Sequence, residues 1–425
     1  MRLEQAQHRA GDAAPSTRPL KAETAFVDPQ LERLFTQSLR RQLENLLQAV
    51  PLDEQQEQLR EQMETLASTL LQDGQADHQQ LVDLFAETAS QLFRVYRQSE
   101  LGEAQDTRQF FTRTGCVMAV KDAVHTCKDI YRVRAFIRGI DQAIRAQSTQ
   151  GSAQPLHVLY PACGPFAPLL LPLIRHYKAQ PQAGLRPLRI TLIDIQEGAV
   201  QVLHNLIRDL DIEDYIEDVL CMDVMDYRPA QPVDLLVLEA MQRGFSREGH
   251  LSMARHLSRF LAADALMIPE RIRVRAFLNE GQAEFVDQWQ DAGYTHSSKV
   301  KPEAAATRVE LGAILDLTLD SLRQLKEIQL GQGASVLECG RVQLPKDQPD
   351  LSHKLMLYCV EATTFGQEGV REYDSGISHP LPDTAVCIDF RPRAAEPDDL
   401  LLKSGDHIQF YYKLTGQPGF MPTWA

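Results

Sequence analysis

Glu239 ends the apolar run VDLLVLEA, and Glu248 follows nine residues later in EAMQRGFSRE, across a loop that contains Gly244. Two carboxylates bracketing a loop at a strand end can converge on one cation. Such a pair can hold a guanidinium through paired hydrogen bonds and polarise its attacking nitrogen. Spacing alone favours a plainer description, in which Glu239 is a strand-end acid and Glu248 caps or decorates the next helix, HLSMARHLSRFL. His250 would be an option as base for an oxygen or carbon acceptor, but its place at a helix start predicts a surface residue. Cys163 has no histidine near it in sequence and reads as a buried, unreactive thiol.

A second set of groups lies upstream. In LHVLYPACGPFAPLL an apolar run ends at Tyr160 and passes through Ala162 and Gly164 into another apolar stretch. A turn at the carboxyl end of the first strand of an open parallel sheet is where a ligand sits, and a glycine there lets the backbone approach it. The next run, RITLID, ends at Asp194, placed to accept hydrogen bonds from both hydroxyls of a ribose. The third, ending CMDVMDY, offers Asp223 to an adenine amino group. Turn, acid and acid in this order form the layout of an S-adenosylmethionine site. A dinucleotide site would prefer GxGxxG and a bare helix N-terminus for the pyrophosphate. Here Pro165 and Phe166 fill that place, and S-adenosylmethionine has no phosphate to cradle. The alternative for the turn is an ordinary strand–helix connection, and for Asp194 a solvated acid or cap.

These groups need a frame. From 155 onward, short β-branched runs alternate with helical segments such as GAVQVLHNLIRDL, the pattern of parallel βαβ units. After about 270, RIRVRAFLNE, VELGAILDLTL, KLMLYCVEATT, TAVCIDFRP and DHIQFYYKLT read as a mainly antiparallel β domain. Residues 28–100 carry three amphipathic helices, and 105–150 read as another long helical stretch. The fold class expected is therefore α/β: a Rossmann-like domain with a helical N-terminal region and a C-terminal antiparallel β domain. The divisions fall at 1–104, 105–269 and 270–425. The N-terminal helices must cover each other, the next domain or a second copy of the chain.

Composition narrows the function classes. The chain has 425 residues and a net charge of −14, which argues against general nucleic-acid binding and permits a cationic substrate. No apolar run reaches the ~18 residues that cross a bilayer. The opening MRLEQAQHRAGDAAPSTRPL has no apolar core of a secretory signal, so a cytoplasmic location without a membrane partner is expected. Seven scattered cysteines without a CxxC pair suggest reduced thiols rather than a disulfide frame or a metal site.

The stretch VDLLVLEAMQRGFSREGHLSMARHLSRFLAADALMIPERIRVRAFL resembles the double-glutamate loop and following strand of the protein arginine methyltransferases. VKDAVHTCKDIYRVRAF is similar to the family's helix that closes over the cofactor. The resemblance covers residues 105–280 well and the remainder in outline. It implies a methyltransferase using S-adenosylmethionine and a nitrogen acceptor, a guanidino or amino group of a protein arginine or a small metabolite, with a homodimer as the assembly. Glu239 and Glu248 would hold the acceptor. Tyr160, Ala162, Gly164, Asp194, Asp223 and Phe111 would contact the cofactor, Arg113 would pair with its methionine carboxylate, and His379 would stand near the acceptor. The chain departs from the family pattern at Tyr160, Ala162 and Phe166, where the family has an acid and two glycines, and at Leu238, where it has serine. No clean Thr-His-Trp loop exists, and His379 in YDSGISHPLP also reads as an ordinary loop histidine. An O- or C-methyltransferase and a non-catalytic scaffold with a decayed cofactor turn remain as alternatives.

Overall fold

The computed structural model describes residues 36, 39, 51–72, 76–149, 154–289, 301–390 and 396–425. The first expected helix, within 31–50, lies almost wholly outside the described residues. The chain divides into two units after Glu54, and the second, Gln55–Ala425, is compact. The second unit holds the parallel sheet and the antiparallel sheets.

Two long helices come first: α1 (Leu52–Leu71) and α2 (His78–Gln98). Both bury one leucine-rich stripe, Leu59, Met63, Leu66 and Leu70 on α1 and Leu81, Phe85, Leu92 and Val95 on α2. Asp77 starts α2 with a capping box, accepting from the Gln80 N–H while its own N–H donates to the Gln80 side chain. The chain then forms α3 (Glu103–Thr107), a hairpin of β1 (Phe110–Thr112) and β2 (Gly115–Val117), α4 (Val120–Ala123) and α5 (Ile130–Ser148). The expected continuous helix over 105–150 is thus broken. Tertiary contact explains the break. Gly115, at φ +153°, lies where a Cβ would come 2.9 Å from the backbone of Arg247 and Glu248, so the segment turns there.

Next comes the parallel sheet: β3 (Leu156–Pro161), β4 (Leu188–Asp194), β5 (Ile216–Cys221), β6 (Val233–Val237) and β7 (Leu261–Ile268), in spatial order β5-β4-β3-β6-β7. Every neighbouring pair is parallel. Helices α6 (Leu171–Ala179), α7 (Glu197–Asp209) and α8 (His250–Leu257) follow β3, β4 and β6. Strands covered on both faces need apolar residues at successive positions, and Val158, Leu159, Ile190, Leu192, Leu235 and Leu236 are fully buried. Each such side chain contributes about 1.5–3 kcal/mol by leaving water.

The N-terminal helices cover this domain. Glu64 of α1 accepts from Arg175 Nε of α6 at 2.8 Å, and Asn205 of α7 donates to Ser99 Oγ just past α2 at 2.9 Å. Phe93 of α2 meets Phe166 of the first turn edge-on at 6.1 Å.

The C-terminal part is built on β8 (Arg271–Glu280), β9 (Val309–Thr318), β10 (Glu327–Gln329), β11 (Ser335–Gln343), β12 (Lys354–Phe365), β13 (Glu368–Val370), β14 (Leu381–Asp383), β15 (Val386–Ile388), β16 (Leu400–Leu402), β17 (His407–Lys413) and β18 (Gly419–Trp424). These give two antiparallel sheets, β13-β12-β8-β9 with β14 on β12, and β10-β11-β17-β18. The short β15–β16 pair is parallel. Helix α5 is wedged between the parallel sheet and β12. Thr364 donates to the Ala135 carbonyl at 2.7 Å, and a Cβ on Gly139 would collide with Thr364 at 2.4 Å.

Candidate functional site

Strand order reverses between β3 and β6, and a cavity opens at the carboxyl ends of the strands there, as open α/β sheets require. The turn after β3 forms its floor. Gly164 has φ +67° and nothing within 4 Å of where a Cβ would stand, so the space beside it is open. Pro165 and Pro168, also in this wall, have no N–H to offer, and the turn is no phosphate cradle. Asp194 ends β4 and is buried. One carboxylate oxygen accepts from the Gly164 N–H and the other from the Gln196 N–H, each at 2.9 Å. Burial pushes its pKa up against these two bonds. Asp194 therefore braces the turn, and a ribose would share oxygens already engaged. Asp223 caps the turn after β5 by accepting from the Met225 N–H at 2.9 Å, and it too faces the cavity.

The roof is the β1–β2 hairpin. Thr112, Thr114, Gly115 and Cys116 line the cavity from above. Gln196 ties the roof down by donating to the carbonyls of Arg108 and Met118 at 2.7 and 2.8 Å.

The double-glutamate loop closes the far wall. Between β6 and α8 the chain makes a small hairpin, with Gln242 bridged to Ser246, and so brings Glu239 and Glu248 to one cavity. Glu239 is not a free carboxylate. Arg132, on the first turn of α5, donates to its Oε2 at 3.1 Å, and its Nε lies 3.2 Å from Asp129. Burial acts to lower the Arg132 pKa, but Glu239, Asp129 and Glu248 outweigh it and hold the guanidinium above its ordinary value. Burial pushes Glu239 up against the pull of Arg132, and its Oε1 is buried without a hydrogen-bond partner among the described residues. Glu248 accepts from Gln242 Nε2 at 2.8 Å. Burial and the charge of Glu239 push it up to about 7. A carboxyl in that range can hold or release a proton near neutral pH.

Tyr160, Ala162, Gly164, Asp194, Asp223, Glu239 and Glu248 are thus brought to one cavity. Phe111 and Arg113 are not. Phe111 precedes Thr112 on β1, where strand alternation turns it away from the side that Thr112 lines, and Arg113 lies in the turn that follows β1, outside the cavity lining. Phe111 is 56% exposed, and Arg113 is exposed with its carbonyl accepting from the Gly416 N–H. His379 lies in a groove outside the cavity, across from the glutamate loop. The two spaces share Met118, Thr126, Arg132, Met241 and Glu248. The expectation of a surface His250 is corrected. It is 1% exposed, burial pushes its pKa down to about 3, and both ring nitrogens lack a partner among the described residues. Cys163 is buried, and burial pushes its thiol well up.

Arg132 is the site residue that sequence reasoning passed over. It lies in the stretch VKDAVHTCKDIYRVRAF, where one charge on an amphipathic helix reads as surface. Asp129 three residues earlier, aligned on one helix face, was the available signal. Among the described residues no group of three or more metal-binding side chains occurs, and no helix is long and apolar enough to cross a membrane.

No family model matches the chain, and no curated protein matches it. Solved structures do resemble it. The Trypanosoma brucei PRMT1 enzyme–prozyme heterotetrameric complex with AdoHcy is 12% identical over 67% of this chain and 85% of that one, with a TM-score of 0.38. PRMT6 is 12% identical over 67% and 95%, at 0.40. Arabidopsis thaliana protein arginine methyltransferase 10 is 12% identical over 68% and 95%, at 0.35.

Proposed function

We propose that this chain is an S-adenosylmethionine-dependent methyltransferase acting on a nitrogen of a guanidino or amino compound. The supporting observation is that a single cavity carries the turn of Gly164, the acids Asp194 and Asp223, and the coupled pair Glu239 and Glu248. The residues fit that cofactor. Space beside Gly164 is open, the proline-bearing turn offers no phosphate site, and a buried Glu239 oxygen lacks a donor among the described residues. Asp223 and Asp194 would hold the nucleoside, and the glutamates would favour a cationic group between them.

The cofactor supplies an activated methyl group, so the chain's own task is mainly positioning. Arg132 fixes the orientation of Glu239. Gln242 fixes Glu248, whose raised pKa suits it to take the proton that the acceptor nitrogen must lose. The hairpin roof excludes water. Arg132 also favours a second reading, transfer to oxygen or carbon with Glu248 as base, because it already occupies one of the two carboxylates. A second copy of the chain belongs to the proposal as partner, and mass by light scattering tests it.

The experiment is calorimetric titration of the chain with S-adenosylhomocysteine, repeated on Gly164→Ala. Micromolar binding is expected for the parent. The added methyl, projecting into open cavity from a left-handed residue, should weaken binding about tenfold or more with the protein still folded. A parent that does not bind would end this proposal.

A further inference from the structure

The outer groove has a charge pattern that the methyltransferase reading does not require. Its wall includes Arg243, Arg247 and Arg132 beside His379 and Glu248. Arg132 is neutralised by Asp129 and Glu239. Arg243 and Arg247 are exposed, and neither guanidinium has an ion pair or hydrogen bond with the described residues. The one acid in this wall, Glu248, is the group whose charge burial suppresses. Two exposed guanidiniums with no hydrogen-bonded or ion-paired acid among the described residues thus line a groove on a chain of net charge −14.

The backbone holds one of them there against its own preference. Arg247 sits in the left-handed region at φ +68°. Its N–H donates to the Pro418 carbonyl at 2.9 Å, and its carbonyl accepts from the Cys116 N–H at 2.8 Å. A non-glycine residue in this region is strained and persists only where its surroundings hold it. Arg243 and Arg247 stand on either side of the turn at Gly244 and Phe245. Two planar guanidinium forks on one loop of the groove wall can donate to the two oxygens of a carboxylate.

We infer that the outer groove binds a carboxylate on the acceptor: the nitrogen to be modified reaches Glu248, and a carboxylate further along the same molecule is gripped by Arg243 and Arg247. The acceptor class is therefore a guanidino or amino acid, not a purely cationic compound. The inference rests on the methyltransferase reading for what happens at the nitrogen, but not for the binding of the anion.

The test compares 4-guanidinobutyrate with agmatine. Both carry a guanidine on a short chain, and they differ in ending with a carboxylate or an ammonium. The full chain is titrated with each at low salt, with and without S-adenosylhomocysteine. The carboxylate compound should bind about tenfold or more tightly than agmatine. R243Q and R247G should each reduce that preference, and together they should abolish it while S-adenosylhomocysteine binding stays unchanged. R247G is chosen because glycine is at home at φ +68° and removes the guanidinium without disturbing the backbone. Equal or tighter binding of agmatine, or a preference that survives in R243Q/R247G, would overturn the inference. Absence of S-adenosylhomocysteine binding with the preference intact would remove the cofactor reading and leave the groove assignment standing.

Discussion

In the inner cavity most polar groups already have partners. Asp194 takes two backbone N–H groups, Asp223 caps its own turn, and Arg132 joins Glu239 to Asp129. In the outer groove the guanidiniums of Arg243 and Arg247 have none among the described residues, and Arg247 is held at a positive φ. The inner site is rigid because a buried unpaired charge costs several kcal/mol. The outer site can leave charge unmatched because water supports it until a ligand arrives. Glu248 belongs to both spaces, and burial and the charge of Glu239 push its pKa up to about 7.

The largest effect that would break this contrast comes from Arg132→Met. It leaves Glu239 buried and unpaired, and should cost about 3–5 kcal/mol in urea unfolding at pH 8. The cost should shrink at pH 5. Glu239 without Arg132 has a pKa further above its unfolded value, so stability is retained at low pH and lost as pH rises through the folded value. An equal loss at both pH values would show that packing, not charge, is what Arg132 supplies.

Glu248→Gln sharpens the contrast from the shared wall. Methyl transfer from radiolabelled S-adenosylmethionine to 4-guanidinobutyrate should fall by about 10²-fold or more, with cofactor binding kept. The parent's carboxyl goes from an ordinary value when unfolded to about 7 when folded, so its contribution is full at low pH and declines as pH rises toward 7. The variant should therefore gain stability relative to the parent between pH 5 and pH 8. Unchanged turnover would move the base elsewhere.

His250→Leu has the smallest effect of the three, and its sign on stability is opposite to that of Arg132→Met. Removing two buried nitrogens without partners should stabilise the protein by about 1–3 kcal/mol, read as a raised Tm. Histidine with a folded pKa of about 3 must be neutral inside, so the parent loses stability as pH falls from its unfolded value toward 3. That acid slope should flatten in the variant.

Legibility in the sequence followed the same division. The strands of the parallel sheet were readable because both faces are covered and the runs are continuous, as in LHVLY and VDLLVLEA. The acids at their carboxyl ends came with them. The hairpin over 110–117 was not readable, since a contact between Gly115 and a loop more than 130 positions away decides it. His250 was misjudged because a polar residue at a helix start is usually wet, and here Phe245 and Tyr412 enclose that end of α8. Arg132 offered only its spacing from Asp129, and the groove arginines carry no periodic signal; only the folded chain shows that Arg132 also meets Glu239.

The β1–β2 hairpin is bonded through Cys116 to Arg247, and through Arg113 to Gly416 in the turn before β18. Roof and groove wall therefore share a backbone hydrogen bond. A substitution that disturbs the roof, such as Gly115→Ala, whose Cβ would come 2.9 Å from the Arg247 carbonyl, should then be felt in the groove as well as in the cavity. Binding of 4-guanidinobutyrate is expected to weaken along with that of S-adenosylhomocysteine; an unchanged affinity in the groove would mean that the two compartments respond separately.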